Sequence, residues 1–469
     1  MARVSKLALG LATVGQAFGF QTNNGSSTDN TLNEILYSQL VNHQAVVFYD
    51  FNCEDYIKKG YCANAEVYSI IKKIVDKANS VPCYLYIDKN DEKSVKARKL
   101  KVNKSSSEPH IHAQYKLYVN KALDYASPSS DLAKLIENPN DHQTWAELNE
   151  LFDIFYFAQG EAFLYRETAE DSDIALSLHV APSNLMTPVF GGTFDDVITG
   201  WKLKNFVDST SRTLDAKDVF HLKMANPQFD QYGSQLRGMS PLLAGLKFLT
   251  QNDEGLKSWA NIMKNEGVKG IVSPDVTEPQ KWITPEQLKP TKEEMDRSVN
   301  GNLNAGKVTV SAMPLKYDAM GLSPQAMNIV EGLKYSGLKL CNLWGVPGVL
   351  FEADPTYQNK KEGRKEFVSD VILPYQGKKE SALNRWLVAP FVRRDKIQYV
   401  LDYDSSQFEE LKLNLSDIEA LLKIYTYNEV RVMNGGDELE EEYANQLFID
   451  SGKVPLSDFS SGITLDNKL

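Results

Sequence analysis

Few residues of this chain fall at spacings that chemistry requires. The stretch "GNLNAGKV" (Gly301–Val308) has the G-x-x-x-x-G-K spacing with which a loop cradles nucleotide phosphates. Its eighth residue is Val308, where that loop needs a Ser or Thr hydroxyl for Mg²⁺. A helical pattern precedes it and the strand pattern "KVTVSAM" follows, the reverse of a phosphate loop. A Gly/Asn turn is the favoured reading, and nucleotide binding through Gly301–Lys307 is the weaker alternative. His110-Ile111-His112 would set two imidazoles on one face of a strand, but two ligands do not close a zinc site and no third stands nearby. His221 is alone in the apolar strand pattern "DVFHLKM", which suits a hydrogen-bonded core or interface histidine. Cys341 falls on an apolar helix face and reads as a packed thiol, not a nucleophile. No G-x-S-x-G elbow, H-E-x-x-H or dinucleotide fingerprint is present. The expectation is a protein that is not an enzyme and needs neither cofactor nor metal.

The 469 residues suffice for two to four domains, and 42% hydrophobic with 24% charged residues is a globular balance. The net charge of −11 argues against a protein that grips duplex DNA non-specifically, because such binding rests on clustered Lys and Arg. It is compatible with one that surrounds DNA without holding it. None of the four cysteines forms a CxxC pair, so reduced thiols are expected. No apolar stretch is long enough to span a membrane. The start, "MARVSKLALGLATVGQAFGF", imitates a secretion signal, but Gly10, Gly15 and Gln16 interrupt it. A flexible or partner-docked arm over 1–34 is the expectation, since "QTNNGSSTDN" has a disordered composition.

The elements that would position such residues are legible in outline. "NAEVYSIIKKIVDKANSVPCYLYI" reads as a helix, with Val67, Ile70, Ile71 and Ile74 on one face, and then a strand. Thr144 and Glu147 make a capping box for a helix that ends at Gly160, and "EAFLYRE" follows as a strand. "IALSLHVAP", "ITGWKLKN" and "DVFHLKMA" read as an all-β stretch. Ser240-Pro241 and Ser323-Pro324 each open a long amphipathic helix. Between those helices lies a small insertion: strand "GIVS", a helix near "TPEQLKPTKEEMDRSVN", and strand "KVTVSAM".

After the second long helix comes "LWGVPGVLFEADPTYQNKKEGRKEF" (Leu343–Phe367). From its residues alone it fits an enzyme lid, a surface connection or a loop reaching into a pore. A helical stretch from about Gln358 to Leu387 follows, roughly 45 Å long at about 1.5 Å per residue. Pro374 within it predicts a kink or break. The strand "KIQYVLDYD" comes next. Residues 405–469 are helical and acidic, with capping boxes at Ser416/Glu419 and Thr426/Glu429.

In this order the pieces resemble the portal proteins of tailed bacteriophages, in the long-tailed phage family, over about residues 35–455. The stretches that carry the resemblance are "NAEVYSIIKKIVDKANSVPCYLY", "DVFHLKMANPQFDQYGSQLRGMSPLLAG", "NLWGVPGVLF" with "PTYQN", "ILPYQGKKESALNRWL" and "YTYNEVRVMNG". The second matches the family's "DV-x-H-x-K … RG-x-SPL", and the last its "T-x-NE-x-R". The acidic C-terminal segment and the loop around Lys93–Ser107 match no part of the pattern.

The resemblance implies an α+β portal fold assembled as a ring, usually dodecameric, at one capsid vertex. Residues 1–34 would be a flexible arm, 35–237 the α+β wing, and 238–267 and 323–345 the two stem helices. Residues 268–322 would be a small α/β clip, 346–360 the tunnel loop, 361–404 the long kinked wing spine helix and strand, and 405–469 the helical crown. It implies double-stranded DNA moved through the ring by the large terminase, exit of DNA on ejection, and docking of a head-tail adaptor. The major capsid protein would be a further partner; the location would be the virion, with the host cytoplasm during assembly. Another connector or minor capsid protein is the alternative. Tunnel-loop candidates are Val349, Leu350, Glu352, Asp354, Lys360, Lys361 and Arg364; clip candidates for terminase or adaptor contact are Lys281, Trp282, Glu286, Lys292, Glu293 and Asn302.

Overall fold

The computed structural model describes residues 56–89, 109–169, 172–190, 198–205, 210–228, 234–264, 270–274, 315–319, 329–352, 354–449 and 454–455. Helix α1 (Ala65–Ala78) buries Val67, Ile70, Ile71 and Ile74 completely, one stripe at three- and four-residue steps. Its cap, Asn64, accepts from the Val67 amide and donates to Asn252 and Asp253, so the same side chain that starts α1 ties it to a distant helix. Strand β1 (Cys83–Asp88) is the centre of a three-stranded antiparallel sheet, between β2 (Leu123–Tyr125) and β11 (Tyr399–Tyr403). Helix α2 (Pro109–Ala122) covers this sheet through Tyr115 and Val119, and a short helix α3 (Asp131–Glu137) follows.

Pro109–Ala122 corrects the strand reading of His110 and His112. Two positions apart on a helix, the rings point to opposite sides: His110 is exposed, and His112 is buried with Nδ1 3.3 Å from the Ser405 hydroxyl. Among the described residues no group of three or more His, Cys, Asp or Glu is placed to hold a metal ion, and no helix is long and apolar enough to cross a membrane.

The Thr144/Glu147 capping box starts α4 (Trp145–Gln159), and Gly160 ends it at φ 80°. Gly160 and Gly238 touch backbone to backbone: a Cβ on Gly160 would lie 2.2 Å from the Met239 carbonyl, and one on Gly238 2.1 Å from the Gly160 carbonyl. Two antiparallel sheets follow, β4-β3-β8 and β5-β6-β7, built from β3 (Glu161–Thr168), β4 (Ala175–Ala181), β5 (Met186–Phe190), β6 (Ile198–Lys204), β7 (Ser211–Asp215) and β8 (Val219–Lys223). Phe163, Met186, Trp201, Leu214 and Val219 form their shared core.

At the end of this core the "DV-x-H-x-K … RG-x-SPL" residues converge on Glu161, the first residue of β3. His221 Nε2 lies 2.9 Å from one carboxylate oxygen, which also accepts from the Gly238 amide at 2.8 Å; Arg237 Nε donates to the other at 2.7 Å. Arg237 further donates to the Met186 and Ser183 carbonyls, and Ser240 donates to the Ala158 carbonyl while accepting from the Leu242 amide. His221 is therefore the hydrogen-bonded core histidine expected, and the motif is a latch that sets the start of helix α5 (Pro241–Lys264). Burial works to raise the Glu161 pKa, but bonding from His221 and the Arg237 charge outweigh it, and it ends lowered. Burial pushes His221 down, against the pull of Glu161, so the ring stays neutral.

Helices α5 and α6 (Ile329–Leu343) run antiparallel: Gly245 faces Leu343, Gly255 faces Leu333, and Asn252 donates to Ser336. Strand β9 (Gly270–Pro274) includes the expected "GIVS" and pairs antiparallel with β10 (Leu315–Ala319). The Ser323-Pro324 start, the helix near Thr284, "KVTVSAM", the Gly301–Lys307 stretch, the loop around Lys93–Ser107 and residues 1–34 lie outside the described residues.

At Pro374 the long helical stretch has a widened turn and does not break. Winding continues through α7 (Tyr357–Phe367), α8 (Leu373–Leu383) and α9 (Ala389–Asp395), joined by π-helical turns at Val368–Ile372 and Asn384–Val388. Each wide turn leads into a proline at the second position of the next segment, Pro374 and Pro390. The Leu373 amide bonds to the Val368 carbonyl five residues back, and Ala389 to Asn384 likewise. Widening the turn makes room for a ring that would clash with the carbonyl four residues back. The helix consequently runs on past Leu387 to Asp395.

Inside this spine, Lys379 and Asp153 of α4 form an ion pair at 2.5 Å, each no more than 2% exposed. Tyr375 donates to the same carboxylate, and Asn79, which caps α1, donates to its other oxygen at 3.0 Å. Helices α10 (Leu415–Leu421) and α11 (Tyr427–Met433) pack on α2 through Leu421, Val430, Val432 and Met433. Thr426/Glu429 is a capping box as expected, but the first box is Asn414/Asp417, not Ser416/Glu419. Asn414 holds the extended backbone a cap requires, so the helix starts two residues earlier.

Asp153→Ala strands a buried ammonium and should cost roughly 3–5 kcal/mol in urea unfolding; Lys379→Met combined with Asp153→Leu should recover part of it. The latch gives a pH dependence. His221 and Glu161 both have lowered folded pKa values, so their contribution is present above the unfolded values and is lost on acidification. Below about pH 6.5 the unfolded histidine takes a proton that the folded one resists, which lowers stability by up to about 1.4 kcal/mol per pH unit. His221→Gln, which keeps an N–H donor, should show a flatter stability profile between pH 7.5 and 5.5.

Candidate functional site

The segment after α6 is docked on one side and open on the other. Trp344 is buried and its indole N–H donates to the Phe157 carbonyl at 2.9 Å. Val346 is buried, and its amide bonds back to Cys341 at 3.1 Å. A 3₁₀ turn, Gly348–Phe351, then folds under α7, where Gly363 leaves the space that Val349 and Leu350 occupy. Val349 and Leu350 are thus half-buried packing residues. Thr356 caps α7, accepting from the Asn359 amide, so the last residues of the expected 346–360 loop are already helical.

Glu352, Asp354, Lys360, Lys361 and Arg364 are all exposed. A further cation joins them: Lys73 of α1 sits over the Phe351 ring at 5.0 Å. Its pKa is lowered first by burial and then by the nearby charges of Arg364 and Lys360. The result is a three-cation group, Lys73, Lys360 and Arg364, assembled by two helices. Lys73 had no sequence signal, because it sits beside Lys72 on an ordinary polar face of α1. The clip candidates Lys281, Trp282, Glu286, Lys292, Glu293 and Asn302 lie outside the described residues.

Burial pushes the Cys341 thiol up to about 11, so it is no thiolate at neutral pH. Glu161 and Asp153, the two buried carboxylates that organise the fold, went unnoticed in the sequence; only a charged residue directly after Gly160 hinted at the first.

The "T-x-NE-x-R" residues likewise hold a loop. Thr426 and Glu429 cap α11; the Asn428 amide donates to the Leu439 carbonyl at 2.9 Å and accepts from the Leu439 amide at 2.8 Å; Arg431 Nε donates to the Asp437 carbonyl. Together they fix the acidic run after Gly436.

Comparison with known proteins agrees with this architecture. The family model described as phage portal protein matches residues 113–435, more than half of the chain. The portal protein of Enterobacteria phage HK97 is 22% identical over 277 residues, 57% of this chain and 60% of that protein. An uncharacterized protein of Rickettsia felis is 22% identical over 222 residues, 46% of this chain and 55% of the relative. The chain thus spans a little over half the length of the curated relatives it matches. Among solved structures, a chain from the neck of an empty gene transfer agent particle superposes with a TM-score of 0.56 at 20% identity, covering 86% of this chain and 99% of that one. A chain from the neck of the native particle, computed with C12 symmetry, gives 0.55 with the same coverage. With the family pattern running from α2 to the end of α11, this chain belongs to the phage portal protein family.

Proposed function

We propose that this chain is the subunit of a portal ring in a phage or phage-like particle, a non-enzymatic conduit for double-stranded DNA. The ring, usually of twelve copies in the family, would sit at one capsid vertex against the major capsid protein. The large terminase would pump DNA in through it, a head-tail adaptor would dock on the clip, and DNA would leave by the same route. Residues 238–267 and 323–345 are the stem, 268–322 the clip, 346–360 the tunnel loop, 361–404 the spine and 405–469 the crown of this reading.

The observation that carries the ring is on the helix pair α5–α6. Leu256, Trp259, Val330, Tyr335 and Leu338 are each 40–52% exposed along it, an apolar surface that a lone chain leaves in water and packed neighbours would cover. The tunnel-loop reading is supported by the open side of the 346–364 segment. Two exposed carboxylates, Glu352 and Asp354, precede the exposed cations Lys360, Lys361 and Arg364. Such a mixed surface suits light contact with a moving duplex, since a dense Lys/Arg surface would hold it.

Negative-stain imaging of the purified full chain tests the ring directly: a channel-bearing ring is expected, and a species that stays monomeric at high concentration under assembly conditions overturns the proposal. Trp259→Glu with Leu338→Glu should abolish the rings while changing the stability of the single chain by less than about 1 kcal/mol, because both sites are on the surface. Replacing the exposed Glu352 and Asp354 by Ser, which keeps the packed Val349 and Leu350 and the Thr356 cap, should leave rings visible but impair DNA packaging or retention. Collapse of the rings in that variant would show that these carboxylates join subunits instead.

A further inference from the structure

An open groove of about 540 Å³ runs between strand β8 and the spine. Its spine wall is Lys378, Ser381, Ala382 and Arg385, one helix face at steps of three, one and three, with Trp386 at its end. Its other wall is β8, the edge strand of the β4-β3-β8 sheet. Trp386 is held in place: its N–H donates to the Lys217 carbonyl, its ring lies tilted against Phe220, and Arg166 sits over it. The small Ser381 and Ala382 leave the middle of the groove open for an approaching backbone.

Among the described residues the groove is lined by positive charge and by no carboxylate. Among the described residues Lys378 donates to the Tyr156 hydroxyl and the Lys223 carbonyl and is in no ion pair, and its pKa is lowered by burial and by Lys223. Arg385 is exposed and makes no ion pair among the described residues. The nearby carboxylate of Asp218 is taken by Arg166 at 3.2 Å.

The same chain presents the complementary charge elsewhere. Asp437, Glu438, Glu440, Glu441 and Glu442 are all exposed, and none is in an ion pair among the described residues. The run is ordered before it meets anything, because Asn428 grips both backbone groups of Leu439 and Arg431 holds the Asp437 carbonyl. A pre-ordered loop loses little entropy on docking. Groove and loop are both open in one chain, so neither satisfies the other within it.

We infer that the acidic run Asp437–Glu442 of one copy docks in the Lys378–Arg385 groove of a neighbouring copy. The carboxylates meet Lys378 and Arg385, and the backbone passes over Ser381 and Ala382. The inference rests on the ring assembly proposed above and names a contact that would close each subunit against the next.

Two full-length variants, Arg385→Cys and Glu440→Cys, each in a background with Cys53 and Cys62 replaced by Ser, test it. They are mixed, assembled and mildly oxidised, and read on a non-reducing gel. A dimer band about tenfold stronger in the mixture than in either variant alone is expected. Lys378→Glu added to the Arg385→Cys partner should reduce it about tenfold, corresponding to roughly 1.4 kcal/mol, and Glu441→Lys on the other partner should restore it. Rings in the micrographs with no mixed cross-link overturn the contact and leave the ring standing; neither rings nor cross-link overturns both. Loss of duplex DNA binding on Lys378→Glu with Arg385→Glu, with cross-linking absent, assigns the groove to a nucleic acid and also overturns the inference.

Discussion

The ion pair between Asp153 and Lys379 lies where three helices meet. Asp153 belongs to α4, Lys379 to the spine, and Asn79, which holds the other carboxylate oxygen, closes α1. Taking two charges out of water costs several kcal/mol per ion, recovered only when geometry and additional hydrogen bonds are favourable. Here Tyr375 and Asn79 supply those bonds, and the rings of Phe152 and Tyr375 lie near the ammonium. Removing any partner leaves charge or a donor without a match in a buried site. The pair therefore specifies how the spine lies on α4, and everything that the spine carries inherits that placement.

Glu161 does the same for the second long element. Its carboxylate collects His221, Arg237 and the Gly238 amide, while the Gly160–Gly238 contact brings two backbones too close for any side chain. Helix α5 leaves from this point. Motif residues that look able to do chemistry, a histidine, an arginine and a serine next to proline, are here consumed in aiming a helix. The "T-x-NE-x-R" residues behave alike, aiming the acidic loop. These polar residues are used for orientation, because a hydrogen bond fixes direction where apolar packing does not.

The spine explains why local rules fail at a distance. Pro374 predicts a kink or break on local grounds. The burial of Phe367, Val368, Ile372 and Leu373 on one side and of Leu383, Leu387 and Val388 further on keeps the winding in place. Two π-turns absorb the prolines at lower cost than unpacking those residues. The same logic explains His110 and His112: alternation along a short stretch resembles a strand until Ala113, Leu117 and the α11 core require a helix face.

What the sequence by itself determined is the set of local elements. The stripe of Val67, Ile70, Ile71 and Ile74, the Thr144 and Thr426 capping boxes, the Ser240-Pro241 start and the α+β order of the pieces follow from spacings of three and four residues, which chain geometry alone converts into faces and caps. The order of these pieces also carried the family. Only the tertiary structure decided which polar residues meet. Glu161 with His221 and Arg237, and Asp153 with Lys379, join elements far apart in the chain, and no local spacing encodes those contacts. They exist because burial of the surrounding apolar surface brings the elements together first, and a charge enclosed by that burial must then find its partner across the core.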